Sequence, residues 1–302
     1  MKSFGKVGVL MGGFSAEREI SLMSGKGVYE ALLSLGVDAH AVDVGEDLLD
    51  VLGREKFDRV FNILHGSFGE DGKIQGILEF LKIPYTGSDV LASAVSMDKV
   101  MSKHIFRDCG ISTPEFVVLN LAKPIFSQVQ ALGLPIVIKP VKEGSAIGVS
   151  KVSDYEELDA AIEKAGPYGQ IMAERWVTGE EFTVGIIGSE ILPAIRIEVA
   201  HGFYDYRQKY FVNTNKYHCP SGLDLESEAE IAQLALRVFH ALKARHWGRV
   251  DIMRDEKGKF YVLELNVNPG MTPTSLIPKA SAALGWTYSQ TILKILEQTL
   301  ES

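Results

Sequence analysis

Arg249, Asp251, Glu264 and Asn266 are spaced so that one strand pair could bring them together. They fall in or just after two extended runs, Trp247–Arg254 and Lys259–Leu265, with Lys257-Gly258 between them. If those two residues form a hairpin turn, Asp251 lies directly opposite Glu264 and Arg249 opposite Asn266, all four on one face. Directly opposed side chains have Cβ atoms roughly 5 Å apart. Two carboxylates that close repel unless a cation lies between them or one is protonated. An all-oxygen donor set with no His or Cys points to magnesium or manganese, not zinc. The competing view, a solvated charged strand face, leaves Asn266 and the Asn268-Pro269-Gly270 turn unexplained.

Three further groups could do chemistry. Lys139 ends a strand and precedes Glu143-Gly144-Ser145-Ala146-Ile147-Gly148, a loop whose backbone N–H groups could lie along phosphates; a plain hairpin fits as well. Lys99 could reach a phosphate, or be a solvated helix lysine. Glu17, in Gly12-Gly13-Phe14-Ser15-Ala16-Glu17-Arg18-Glu19, could hold an ammonium or serve only as a helix N-terminal acid. His65, in His65-Gly66-Ser67-Phe68-Gly69-Glu70-Asp71-Gly72, could be structural. The chain has no GxxxxGK[ST], no GxGxxG after a strand and no GxSxG elbow, which weighs against P-loop, dinucleotide and serine-hydrolase chemistry.

These groups need elements to position them. The pattern over the first part is β-α-β: strands at Lys6–Met11, Val37–Asp43 and Arg59–Leu64, helices near Ser21–Ser34 and Gly72–Leu81. That order predicts a parallel α/β sheet with ligand loops at its strand ends, Gly12–Glu19 and His65–Gly72. Helices follow near Asp89–Val95 and Met97–Cys109, then strands at Leu134–Lys139, Gly148–Val152 and Gln170–Val177. Capping boxes at Ser153/Glu156 and Ser227/Glu230 predict two helix starts. Phe182–Ile187 and Glu190–Val199 suggest a hairpin, and Ser275–Leu284 and Thr287–Leu300 close the chain as helices. His201–Gly222 is long, polar and aromatic without a period, which suits a functional lid. The reading is an α/β fold, α+β in its C-terminal part, with three domains: 1–88, 89–177 and 178–302. The net charge of −8 on 302 residues argues against nucleic acid. Two cysteines without CxxC spacing, and no apolar run approaching a membrane span, predict a soluble, cytoplasmic chain without a membrane partner.

Together these segments resemble the D-alanine–D-alanine ligase family of the ATP-grasp superfamily. The match runs in order through GGFSAEREISLMSG, LHGSFGEDGKIQG, PYTGS, SMDK, IVIKPVKEGSAIGVSKV, AERWVTGEEFTV, FYDYRQKY, WGRVDIM and LELNVNPGMTPTSLIP. The resemblance implies an ATP-grasp fold with an N-terminal parallel α/β domain, ligation of two D-alanines through an acyl phosphate, and a homodimer. It implies that Lys99, Lys139, Glu174, Trp176, Val177 and Glu181 bind ATP, with Lys209 at the γ-phosphate. Asp251, Glu264 and Asn266 would hold two Mg²⁺ or Mn²⁺ ions. Glu17 would take the first D-alanine's ammonium, with His65 beside it, and Arg249 and Gly270 the oxyanion. Ser275 and Leu276 would take the second D-alanine's carboxylate, and Glu17, Ser145 and Tyr210 would form a hydrogen-bonded chain. Ala146 stands where a second serine is common and Val267 where threonine is usual; Asn268 occupies a variable position. A D-alanine–D-lactate ligase and a catalytically inactive nucleotide-binding regulatory module are the alternatives, the first disfavoured by the Lys209-Tyr210 pair and the second by the intact metal and arginine set.

Overall fold

Val7–Gly12 (β1) is buried at every position, as the central strand of a parallel sheet must be. It pairs in parallel with Ala39–Val44 (β2) and Arg59–Asn62 (β3), in the order β2-β1-β3. Helices Arg18–Ser34 (α1), Leu48–Glu55 (α2) and Lys73–Phe80 (α3) connect or follow these strands. The computed structural model describes residues 3–199 and 215–300. Among them, no helix is long and apolar enough to cross a membrane.

Two helices, Val90–Met97 (α4) and Lys99–Asp108 (α5), lead into a second, antiparallel sheet. Asp98 ends the first and caps the second, accepting from the Val100 and Met101 N–H groups. The sheet holds Phe116–Val118 (β4), Ile136–Pro140 (β5), Ser150–Val152 (β6) and Ile171–Arg175 (β7), in the order β4-β7-β5-β6. Helices Ile125–Val129 (α6) and Leu158–Ala165 (α7) lie between its strands in sequence. The third sheet is also antiparallel. It comprises Gly179–Ile187 (β8), Glu190–Ile191 (β9), Ile195–Glu198 (β10), Lys216–His218 (β11), Trp247–Asp255 (β12) and Phe260–Asn266 (β13). Its order is β11-β10-β8-β12-β13, with β9 on β8. Leu225–Ala241 (α8), Leu276–Ala283 (α9) and Tyr288–Glu297 (α10) complete the chain.

The buried clusters do not follow chain order. Helices α9 and α10 return to the first sheet: Ile277, Ile292, Ile295 and Leu296 share a core with Val7, Val9, Met11, Val28 and Leu32. Likewise Phe106 and Ile111 pack with Phe182, Val184 and Val238 of the third-sheet region. The long helix α8 buries Ile231, Leu234, Ala235, Val238 and Phe239, most of the stripe its three-and-four spacing predicts.

Several local expectations are corrected. The first capping box starts one residue later than predicted, and the cap of the second helix lies three residues earlier. Asp154 and Glu157 form the first, and Asp224 caps α8 by accepting from the Ser227 N–H. A carboxylate nearer the helix start wins the role that serine would otherwise take. Of the stretch His201–Gly222, residues 201–214 lie outside the described residues, and Lys216–His218 is a strand against β10. Helices α2 and α6 and the strand β4 have no counterpart in the sequence reading. They are short, and β4 is half-buried along its whole length, so no alternation marks it.

The decisive hairpin reaches its predicted register by another route. Asp255 N–H bonds to the Lys259 carbonyl, so the turn spans three residues and not two. That alone would move the pairing by one, as Arg254 opposite Phe260 and Ile252 opposite Val262 show. A bulge between Asp251 and Ile252, with Leu263 as the extra residue, restores it, so that Asp251 faces Glu264 and Arg249 faces Asn266.

Trp247 begins β12 fully buried, its ring 6.4 Å from that of Phe61 on β3, so it ties the third sheet to the first. Trp247→Ala should lower stability by about 3–5 kcal/mol, read as a shifted urea midpoint. A loss below about 1 kcal/mol would show that this contact does not hold the two sheets together.

Candidate active site

The Asp251 carboxylate accepts hydrogen bonds from three side chains. Arg249, two residues away on the same strand face, donates from Nε to Oδ1 and from Nη2 to Oδ2, each at 2.8 Å. Thr183 on the neighbouring strand β8 donates its hydroxyl to Oδ1 at 2.7 Å, and Asn266 donates its amide nitrogen to Oδ2 at 2.9 Å. Across the hairpin, Glu264 Oε2 meets Lys99 Nζ at 3.0 Å. The repulsion expected between the two carboxylates is thus offset by side-chain cations, one from β12 and one from α5. Lys99 is no solvated helix lysine: its side chain is 11% exposed, and Nζ also donates to the Glu143 carbonyl at 2.6 Å.

This set suits a hard divalent cation. Among the described residues there is no cluster of three or more His, Cys, Asp or Glu able to hold a metal. The donors are two opposed carboxylates and the Asn266 amide, whose nitrogen turns to Asp251 so that Oδ1 is its atom for a cation. All are oxygen donors, as magnesium and manganese prefer.

Two cavities meet at this pair. One, of about 410 Å³, lies between the second and third sheets. Its walls include Val137, Val177, Met253 and Leu263, with Lys99, Lys139, Glu174, Trp176 and Glu181. The other, of about 240 Å³, is lined by Glu17, His65, Arg249, Asn266, Gly270, Ser275 and Leu276. Ser145, Glu181, Asp251 and Glu264 line both. Every candidate residue that is described therefore borders one cavity or the other. Lys209 and Tyr210 lie outside the described residues.

The second cavity is closed by loops from distant parts of the chain. Glu17 precedes α1 but makes no side-chain cap to it. Its carboxylate instead accepts from the Ser145 hydroxyl, 128 residues away. Ser15 holds the neighbouring backbone, accepting from Glu17 N–H at 3.1 Å and donating to the His65 carbonyl at 2.7 Å. Ser145 and Ala146 both have left-handed backbone, with φ of 51° and 57°. Two successive non-glycine residues there store strain that the surrounding contacts must hold. Burial drives the His65 pKa down despite Glu17 and the Asn268 carbonyl, so the ring is neutral. Its Nδ1 lies 3.0 Å from the Asn268 carbonyl, which can only accept, so Nδ1 carries the proton and Nε2 is an acceptor.

Several participants escaped the sequence reading. Asn268, placed there as a variable position, is a hub: its carbonyl takes His65, its N–H donates to Glu70, and its amide donates to the Gly69 carbonyl. Glu70 accepts from the Gly66 N–H at 2.6 Å and the Asn268 N–H at 3.3 Å. Burial, with the Glu17 charge, pushes its pKa up to about 8, although both N–H bonds and Arg249 oppose this. Thr183 and Lys103 were missed as well. Lys103 is fully buried, and its Nζ meets Glu174 Oε1 at 2.9 Å, while Lys139 meets Oε2. Burial raises the Glu174 pKa, but the two lysines outweigh it and hold the group below the usual carboxylate range. A lysine one helical turn after Lys99 was the available signal, and it reads equally well as a surface residue.

At the far end of the second cavity, Ser275 caps α9 without using its side chain, which instead lies 2.8 Å from the Thr272 hydroxyl. Ser275 and Leu276, at that helix start, line the cavity, where a carboxylate is favoured.

The D-ala D-ala ligase C-terminus model matches residues 105–297 and the N-terminus model residues 48–88. A D-alanine–D-alanine ligase of Pseudomonas entomophila is 48% identical over 301 residues, 99% of this chain and 95% of that protein. D-alanine–D-alanine ligase B of Chromobacterium violaceum is 50% identical, covering 98% of each chain. The structure of the Bacillus anthracis D-alanine–D-alanine ligase complexed with ATP superposes with a TM-score of 0.86 at 33% identity, covering 98% of each chain. The VanG D-Ala:D-Ser ligase of Enterococcus faecalis superposes at 0.84 with 30% identity, covering 98% of this chain and all of that one. The chain belongs to the D-alanine–D-alanine ligase family, and its α/β architecture is the ATP-grasp fold expected from the sequence.

The raised Glu70 pKa has a stability consequence. Its value in the fold lies above the ordinary 4.5, so the folded state binds the proton more tightly, and ionisation costs stability. This contribution is present below 4.5 and is lost as pH rises through about 8. Glu70→Gln should flatten that decline. Urea midpoints of the two proteins, compared between about pH 5 and about pH 8, should converge as pH falls; a pH-independent difference would contradict it.

Proposed function

We propose that the protein is an ATP-dependent, ADP-forming ligase that joins two D-alanine molecules to D-alanyl-D-alanine for peptidoglycan precursor synthesis. The observation that carries this reading is the meeting of two cavities at Asp251 and Glu264. One has apolar walls and lysines suited to a nucleotide; the other has an acid at one end and a helix start at the other, suited to amino acids. The three sheets mark three domains in this reading, at 1–88, 89–177 and 178–302. The enzyme works as a cytoplasmic homodimer, as the family resemblance implies.

Glu17, oriented by Ser145, holds the first D-alanine's ammonium, with His65 near it. Trp176, Val177 and Glu174 frame the base, Glu181 holds the ribose, and Lys99, Lys139 and Lys209 neutralise phosphate charge. The substrate carboxylate attacks the γ-phosphorus, the bond to ADP breaks, and an acyl phosphate results. Asp251, Glu264 and Asn266 would hold two Mg²⁺ or Mn²⁺ ions, which supply further charge neutralisation on the phosphates. Ser275 and Leu276 receive the second D-alanine's carboxylate at the start of α9. Its amine attacks the acyl carbon, and Arg249 with the Gly270 N–H stabilises the oxyanion. Hydrogen phosphate then leaves with the amine's proton. Water would destroy the acyl phosphate, so the site must close; the stretch 201–222, which carries Tyr210 to complete the Glu17–Ser145–Tyr210 chain, is assigned that task.

The enzyme should release ADP from ATP and magnesium with D-alanine and not with L-alanine, followed in a coupled ADP assay. Replacing D-alanine as second substrate by D-lactate or D-serine tests the alternatives; turnover only with either would reassign it, and no turnover at all would favour a regulatory module. Asp251→Asn removes a metal ligand from the charge cluster and should cut turnover by about a hundredfold or more while leaving the far-UV spectrum unchanged. Undiminished activity in that variant would show that Asp251 holds no ion.

A further inference from the structure

Lys103 is a buried ion for which the reaction gives no direct task. It is fully enclosed, and an ammonium so placed is costly unless paired. Its Nζ donates to Glu174 Oε1 at 2.9 Å and to the Thr113 hydroxyl at 2.5 Å, and Thr113 donates onward to the Val262 carbonyl at 2.8 Å. The Phe116 ring lies 5.8 Å from the same nitrogen. Thus α5, the approach to β4, and β13 all fix this one charge. Glu174 is also buried, and on the sheet it pairs with Val137 of β5, which lines the same cavity. The carboxylate therefore borders the apolar slot into which a base would enter.

We propose that Lys103 is a positioning residue for nucleotide selectivity: it holds Glu174 as a hydrogen-bond acceptor toward the base slot, so that the site takes a 6-amino purine and rejects a 6-oxo purine. The inference rests on the nucleotide reading of this cavity given above. Glu174 has two cations, but they are not equivalent. Lys139 is 12% exposed and borders the cavity, so a triphosphate draws on its charge. Lys103 is 0% exposed and tethered on two sides, so it stays with Glu174 whatever binds. Burial pulls its pKa down to about 8 against the attraction of Glu174, which leaves it an ammonium at neutral pH. An ionised carboxylate only accepts hydrogen bonds. It bonds an exocyclic amine and repels the lone pairs of a carbonyl at the same place. Without Lys103, a buried Glu174 sharing Lys139 with phosphate would take up a proton and could donate to a 6-oxo group.

The test compares ATP with ITP, which differs from it only in the 6-oxo purine, in the full-length enzyme with saturating D-alanine and magnesium. The wild type should prefer ATP in kcat/KM by at least about a hundredfold. Lys103→Met should raise KM for ATP about tenfold, change kcat less than about threefold, and shrink the ATP:ITP ratio at least about tenfold. Lys103→Arg should restore much of that ratio. Glu174→Gln, whose amide both donates and accepts, should also flatten the preference and decides the matter if Lys103→Met does not fold. A folded Lys103→Met protein that melts earlier yet keeps the wild-type ratio would overturn the proposal, as would wild-type indifference between the nucleotides or an unchanged ratio in Glu174→Gln. Calorimetric binding of ATP and ITP reads the same ratio without turnover. A wild type that discriminates in binding but does not turn over with D-alanine would therefore sink the ligase reading alone.

Discussion

Asp251 and Glu264 face each other across one hairpin, and that opposition sets a requirement the surrounding structure must meet. Like charges at this separation inside a protein cost several kcal/mol unless positive charge is supplied. Here it comes from two directions: Arg249 from the same strand and Lys99 from the start of α5. Because Lys99 also bonds the Glu143 carbonyl, the helix before the second sheet, the loop inside that sheet and the third sheet are joined at one point. The same electrostatic demand makes the pair suited to divalent cations. A site that is balanced by side-chain cations can exchange part of that balance for metal and phosphate charge without leaving a carboxylate unpaired.

A second charged layer lies behind the first. Lys103, Lys139 and Glu174 form a buried triad in which one cation is confined and the other borders the cavity. Glu17 and Glu70 form an acidic counterpart on the amino-acid side, where burial and mutual repulsion raise the Glu70 pKa. The two sides differ in net charge because they would receive opposite charges, phosphate on one and ammonium on the other. Ser145 stands between them on strained backbone, which fits a loop held in place by contacts from both cavities and not by its own preference.

Periodicity and spacing made much of this legible. The apolar run of β1, the stripe of α8 and the turn residues around Gly258 are local signals, and local physics answers to them. The facing of Asp251 and Glu264 was anticipated as well, though from a turn one residue too short; the bulge at Leu263 supplied the missing residue. Bulges leave no reliable mark in a sequence, since any residue can be the extra one when its strand neighbours allow the bend. The capping residues were misplaced for a similar reason: Asp154 and Asp224 each stand within three residues of a serine that could serve equally.

Residue types along the chain therefore determined the α/β elements, the oxygen-only donor set on one strand face, and the family to which the ordered motifs belong. Tertiary structure alone decided which distant groups meet. The contact of Glu17 with a serine 128 positions away was implied only by the family resemblance, and nothing in the sequence says that Asn268 joins His65 to Glu70, or that Lys103 is enclosed while Lys99 borders a cavity. Those outcomes depend on how three sheets pack, and packing sets burial, which turns an ordinary lysine or glutamate into a fixed charge. A residue's type states what chemistry it can do; its desolvation and its partners, which only the fold supplies, state which of those it does.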